Sequence, residues 1–221
     1  MSKIEVWGRA TSSNVQIVMW AVNELGLEHQ RLDVGGAFGG TDTAEYRAMN
    51  PMGLVPVLRD GETVLFESGA ILRYLGARYG DDGFFPEDTS KRAELDQWAE
   101  WSKTTLYPVL IKNVFWQLIR TPSAERDHSA IEAGSAELMQ LMPLVEKRLG
   151  EGPFLNGEAL SFADISFGHL LYRYFTLDFD RADTPLLQAY YARLQDRSAY
   201  RGHVMVDYMG MKRLVRWGER R

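Results

Sequence analysis

Apolar and polar positions recur with two different periods along this chain, and the change of period divides it. From Ser13 to Leu25, the apolar residues Val15, Val18, Met19, Val22 and Leu25 return every three or four positions. That spacing predicts a helix, and Gly26 stops it. "KIEVWG" before it and "EHQRLDV" after it read as short strands, so residues 3–34 predict a β-α-β unit with parallel strands. "GGAFGG" reads as a flexible loop and "TDTAEYRAMN" as a short helical or irregular segment ending at Pro51. In "LVPVLRDGETVLFES", two β-rich runs flank Asp60-Gly61, a hairpin dipeptide. "ESGAILRYLGARYG" carries Ile71, Leu72, Leu75 and Tyr79 in helical register and ends at Gly80. The first eighty residues thus predict β-α-β-α-β-β-α, the thioredoxin-like order.

After "GDDGFFPEDTS", a Gly-, Asp- and Pro-rich break, the period is helical throughout. A long helix runs from Ser90 past Tyr107-Pro108, where the proline predicts a kink. A second spans Ser123 to Leu149, "SFADISFGHLLYRYF" makes a third, and "PLLQAYYARLQDR" makes a fourth. The division predicted is an α/β thioredoxin-like domain at 1–80, a linker at 81–88 and an all-α domain at 89–221. No internal repeat or low-complexity tract interrupts it.

Composition narrows the chemistry. At 221 residues and 45% hydrophobic, the chain can bury sizeable cores, and disorder is not expected. A net charge of -5 leaves no basic footprint for nucleic acid. The cationic end "MKRLVRWGERR" reads as a solvated tail rather than a binding patch. With no cysteine, the chain can form neither disulfides nor thiolate metal sites, and it has no cysteine nucleophile. Any sulfur chemistry must use a ligand's thiol. No run reaches the length of a membrane span, and the start lacks a signal-type apolar segment, so a cytoplasmic protein is expected.

Three stretches carry candidate chemistry. Ser12, Ser13 and Asn14 precede the first helix, where such residues ordinarily act as caps. Pro56 stands just inside a strand start. It is either an edge-strand proline or the partner in a cis Val55-Pro56 bond that turns the Val55 N–H and C=O outward to pair with a peptide ligand. Glu67 and Ser68 open a helix whose N–H groups suit a carboxylate, with Glu67 placed for an ammonium. That pair matches a zwitterionic amino-acid end. "LSFADI" is a structural capping box of Ser161 and Asp164, with Leu160 and Ile165 as its staple. "GGAFGGTD" lacks the lysine of a phosphate loop, and G-x-S-x-G is absent. His29, His128, His169 and His203 are scattered without metal-ligand spacing, so no metal is expected.

These residues together resemble a family. The β-α-β-α-β-β-α order, "NPMGLVPV", "FESGAILRYL", a Pro-containing linker and a helical domain with "SFADI" are similar to soluble glutathione S-transferases. "GRATSSNVQIVMW" is most similar to the bacterial theta-related and nu-like branches. The resemblance implies glutathione as co-substrate, with no tightly bound cofactor. It implies a cis Pro56, Val55 pairing with the cysteinyl backbone, and Glu67 and Ser68 holding the γ-glutamyl end. It assigns the thiol-activating hydroxyl to Ser12, or to Ser13 one register on, with Asn14 as the second polar position. Many relatives carry a lysine where this chain has Leu54. The glycyl carboxylate is therefore left to Arg47, Arg9 or backbone donors of the loop near Phe38. A hydrophobic electrophile or a peroxide would enter between the domains, lined by Phe38, Arg9, Tyr107, Val114, Phe115 and Trp116. A homodimer is implied as well. A non-catalytic glutathione-binding scaffold is the rival from another class, and a dehalogenase or disulfide reductase is the rival among enzymes.

A serine hydroxyl is too weak a base to take a thiol proton. As a donor to the thiolate it makes a charge-assisted bond of roughly 1.5–3 kcal/mol. That lowers a thiol of pKa ~8.5 by about one to two units. A helix N-terminus acts in the same direction.

Overall fold

A computed structural model of the protein describes residues 3–150 and 152–211. The cationic tail read from the sequence falls, beyond Met211, outside the described residues. The first part holds β1 (Ile4–Trp7), α1 (Ser13–Glu24), β2 (His29–Leu32), α2 (Ala44–Met49), β3 (Val57–Asp60), β4 (Thr63–Phe66) and α3 (Ser68–Tyr79). The sheet order is β2-β1-β3-β4, with β1 and β2 parallel and the other two pairs antiparallel. The parallel pair is the crossover predicted from residues 3–34. The hairpin turn falls one residue later than Asp60-Gly61, because Asp60 still pairs with Thr63 and Gly61 supplies the positive φ of 58°. "GGAFGG" is an ordered 3₁₀ turn at Gly36–Phe38, closed by Gly35 N–H donating to Gly39 C=O at 2.7 Å.

The rest is helical: α4 (Thr89–Trp101), α5 (His128–Leu149), α6 (Phe162–Gly168), α7 (Leu171–Thr176), α8 (Pro185–Gln195) and α9 (Ser198–His203). Beyond Trp101 the chain continues helically with wider i→i+5 winding over Ser102–Leu106 and Pro108–Arg120. Local causes are visible in this stretch. Ser102 and Thr104 hydroxyls donate back to the carbonyls of Trp98 (2.7 Å) and Glu100 (2.9 Å), and Pro108 has no N–H to give. α5 begins later than Ser123, because Asp127 caps it at Ala130 N–H and a 3₁₀ turn occupies Ser123–Glu125. The helix predicted from "SFADISFGHLLYRYF" divides into α6 and α7.

One core runs through both parts. Trp20 of α1 meets Tyr200 edge-on at 4.8 Å, and Arg73 of α3 donates to Asp96 of α4 at 2.8 Å. The capping box at Ser161 forms as predicted. Asp164 does more than cap: fully buried, it also accepts from Leu155 N–H and Tyr190 O–H, both at 2.9 Å. Among the described residues, no helix is long and apolar enough to cross a membrane.

Candidate active site

The N-termini of α1 and α3 converge on one side of the sheet. Gly8 makes the approach possible, since a Cβ there would meet Val15 Cγ2 at 2.4 Å and Val55 Cβ at 3.2 Å. Val55 therefore stands against the first turn of α1. The Val55-Pro56 bond is cis, and the Val55 main chain takes part in none of the described hydrogen bonds. Leu54 beside it is exposed. Its carbonyl is held by the Tyr46 phenol at 2.7 Å and the Asn50 amide at 2.8 Å.

At the start of α3, Ser68 is buried and Glu67 is exposed. Glu67 has φ of 69°, the one positive φ outside glycine among the described residues. Its side chain caps nothing. A left-handed glutamate costs roughly 1–2 kcal/mol, and such strain persists where the surroundings hold the residue for a purpose. Ser68 Oγ donates to Asn14 Oδ1 at 3.3 Å, which joins the two helix starts.

Lys103, absent from the expected site residues, completes this group. It lies in the widely wound segment after α4, yet its Nζ donates to Asn14 Oδ1 at 2.7 Å and to Ser68 Oγ at 3.0 Å. The ammonium also lies 5.2 Å from the Tyr107 ring centroid. Burial holds its pKa below the ordinary 10.5, with the Glu67 and Glu100 carboxylates opposing that shift. Behind it, fully buried His169 donates Nδ1–H to Ser166 C=O at 2.8 Å. Burial, then the charges of Lys103 and Arg173, push this imidazole well below 6.5 and keep it neutral.

The two serines separate. Ser12 occupies the N-cap position of α1, but its hydroxyl makes no capping bond and no other hydrogen bond among the described residues. Ser13 is the first helical residue, and its Oγ donates to Tyr107 OH at 3.3 Å across the cleft. Neither serine caps with its side chain, in contrast to the ordinary reading of such residues. Asn14 faces Lys103 and Ser68, on the side of the Glu67 start.

The cationic and apolar candidates also sort themselves. Arg47 donates to Pro51 C=O at 2.8 Å and lies against Gly53. Arg9 packs on the 3₁₀ turn, where a Cβ on Gly36 would lie 3.0 Å from its Cδ. Phe38 in that turn is 60% exposed. Trp116 is partly exposed under the Arg120 guanidinium, 5.4 Å from the ring centroid. Val114 and Phe115 are buried in the helical part. Val114 is buried against Gly134 of α5, and Phe115 is buried edge-on to Tyr208 at 5.1 Å. Arg173, also buried, bridges the two parts: it donates to Gln16 Oε1 at 2.6 Å and to Thr11 C=O at 3.1 Å. Among the described residues, no group of three or more His, Cys, Asp or Glu side chains could hold a metal ion.

Comparison with known proteins is specific about the family. Residues 11–78 match the family described as glutathione S-transferase, N-terminal domain, and residues 129–193 match its C-terminal domain. The chain is 36% identical over 205 residues to glutathione S-transferase GstB of Escherichia coli, covering 92% of this chain and 98% of that protein. It is 30% identical to glutathione S-transferase F14 of Arabidopsis thaliana, over 95% of this chain and 85% of that protein. Among solved structures it resembles the theta class glutathione S-transferase of Xanthomonas axonopodis pv. citri with glutathione bound. That match has 42% identity and a TM-score of 0.88, and covers 94% of this chain and 100% of that one.

Proposed function

The chain belongs to the glutathione S-transferase family, and from that premise we propose how its cleft works. The protein is a glutathione transferase with glutathione as co-substrate. Ser12 donates its hydroxyl to the glutathione thiolate. Val55 pairs with the cysteinyl main chain through its N–H and C=O. Ser68 and Lys103 bind the γ-glutamyl carboxylate, and Glu67 takes the ammonium. Asn14 holds Ser68 and Lys103 in place. The glycyl end runs to the opposite side, where Leu54 offers no cation and Arg47 packs against Gly53 on the neighbouring turn.

The observation that carries this reading is the convergence at α1 and α3. A hydroxyl without a partner stands at one helix start, and a polar group with a desolvated ammonium stands at the other, 2.7 Å from Asn14. The helix ends and the ammonium favour an anionic ligand, and Ser12 favours thiolate over thiol. The electrophile enters between Phe38, Tyr107 and Trp116, and the thiolate attacks it there. We also propose a cytoplasmic homodimer. Among the described residues β4 is an edge strand of the sheet with Val64 and Phe66 partly exposed, which suits a partner surface.

The experiment is an activity panel with glutathione on the purified protein, using 1-chloro-2,4-dinitrobenzene and an organic hydroperoxide. Turnover of either supports the transferase. Retention on glutathione-agarose without turnover of any acceptor would instead establish a binding scaffold. Sedimentation velocity tests the dimer.

A further inference from the structure

The electrophile side of the cleft carries more positive charge than a site for neutral apolar molecules needs. Arg9, just after β1, packs on the turn at Gly35 and Gly36, with its Nη1 3.2 Å from where a Gly35 Cβ would stand. Arg120 closes the widely wound helix and lies over Trp116. Among the described residues neither guanidinium has a carboxylate within salt-bridge distance, and Arg120 Nε is buried without a hydrogen-bond partner. Burial holds both below the ordinary arginine value. Arg120 is pushed down to about 10, with the neighbouring Arg9 charge as the next cause, and Tyr107 acts on both. Arg173 differs in that both its Nη atoms already donate, to Gln16 and Thr11, although its Nε is also buried without a partner among the described residues.

Two partly desolvated cations with no carboxylate partner are costly unless an anion joins them. We infer that Arg9 and Arg120 form a carboxylate-binding site beside the reacting sulfur, and that the preferred electrophile carries an anionic group. This deepens the transferase reading and rests on it. The glycyl carboxylate of glutathione is a second possible source of the same chemistry, and the test separates the two.

The matched probes are 4-chloro-3,5-dinitrobenzoate and its methyl ester, which share ring, nitro groups and leaving group. In both, the glutathione sulfur bonds to the chlorine-bearing carbon, chloride leaves with the C–Cl electron pair, and the thiol proton passes to solvent. Each kcat/KM is divided by the uncatalysed rate constant with glutathione. The expected acid-to-ester ratio in the unaltered protein is about tenfold or more, one charge-assisted bond. The ratio should fall toward one in Arg9→Gln and Arg120→Gln, and Arg120→Lys should recover part of it. Calorimetric affinities of the two purified glutathione conjugates should follow the same order, which gives a reading independent of turnover. Turnover of both probes at a ratio near one overturns this inference and leaves the transferase intact. A higher KM for glutathione in the Gln variants with an unchanged ratio also overturns it, assigning the arginines to the glycyl carboxylate. Neither turnover nor conjugate binding removes the transferase reading, and this inference with it.

Discussion

Lys103 Nζ lies 2.7 Å from Asn14 Oδ1, although 89 residues separate them in the chain. A cation of the helical part thus joins a polar cluster whose other members, Asn14 and Ser68, stand in the thioredoxin-like part. If it receives the γ-glutamyl carboxylate, Lys103→Met should raise the KM for glutathione by roughly 10- to 150-fold. That range corresponds to a charge-assisted bond of about 1.5–3 kcal/mol. Initial rates over a glutathione series measure it, and an unchanged KM would assign Lys103 to packing alone.

The same ammonium predicts opposite pH trends for binding and stability. Burial lowers its pKa from 10.5, so the unfolded chain binds more protons between the folded value and 10.5. Stability contributed by this group therefore rises with pH through that window. Glutathione affinity should fall there, because the neutral amine no longer attracts the carboxylate. Chemical denaturation and calorimetric titration at matched pH values test both signs, with Lys103→Met expected to flatten both.

Glu67 predicts a trade between strain and binding. Glu67→Gly removes a left-handed side chain costing roughly 1–2 kcal/mol and adds about 0.5–1 kcal/mol of unfolded-state entropy. The variant should melt no lower than the parent while its KM for glutathione rises several-fold. Glu67→Ala should lose affinity equally and keep the strain. Full affinity in both variants would remove the ammonium contact.

Asp164 tests the capping box as a buried hub. Its carboxylate accepts from Ser161 N–H (2.8 Å), Ser161 O–H (2.7 Å), Leu155 N–H (2.9 Å) and Tyr190 O–H (2.9 Å). Asp164→Ala strands several buried donors at about 1–3 kcal/mol each. A loss of at least ~3 kcal/mol is expected, or roughly 6–12 °C in a thermal melt of a chain this size.

What the sequence revealed was whatever depends on near neighbours. Helix and strand periods, the Gly26 stop and the Ser161 cap are local, and each lies close to where its spacing puts it. The helix starts at Ser13 and Ser68, where the candidate residues of α1 and α3 stand, were also legible. Lys103 was not, since its partners lie 35 and 89 residues away. One signal was available: it follows Ala99 by four and precedes Leu106 by three, so a charge sits on the stripe that those buried residues define. The burial of Val114 and Phe115 was not legible either, because the winding widens from Ser102 onward and faces counted with an α-helical period drift there.

The opening serines give the sharpest comparison. Ser12 Oγ has no partner among the described residues, whereas Ser13 Oγ already donates to Tyr107 at 3.3 Å. Only the first is free to donate to a sulfur without giving up a bond. Ser12→Ala should therefore leave glutathione affinity nearly intact, since the proposed contacts at Val55, Glu67, Ser68 and Lys103 are untouched. Its turnover should fall, and the pH-rate midpoint should move up by about one to two units, matching a lost bond of roughly 1.5–3 kcal/mol. The direction follows because an acid that loses stabilisation of its anion needs a higher pH to ionise. Ser13→Ala should leave the midpoint in place and lower stability by about 0.5–1.5 kcal/mol, through the lost contact between α1 and the helical part. Its melting temperature reports that loss. Should Ser13→Ala carry the shifted midpoint instead, the thiolate donor lies one residue along, and Tyr107 becomes part of the donor chain.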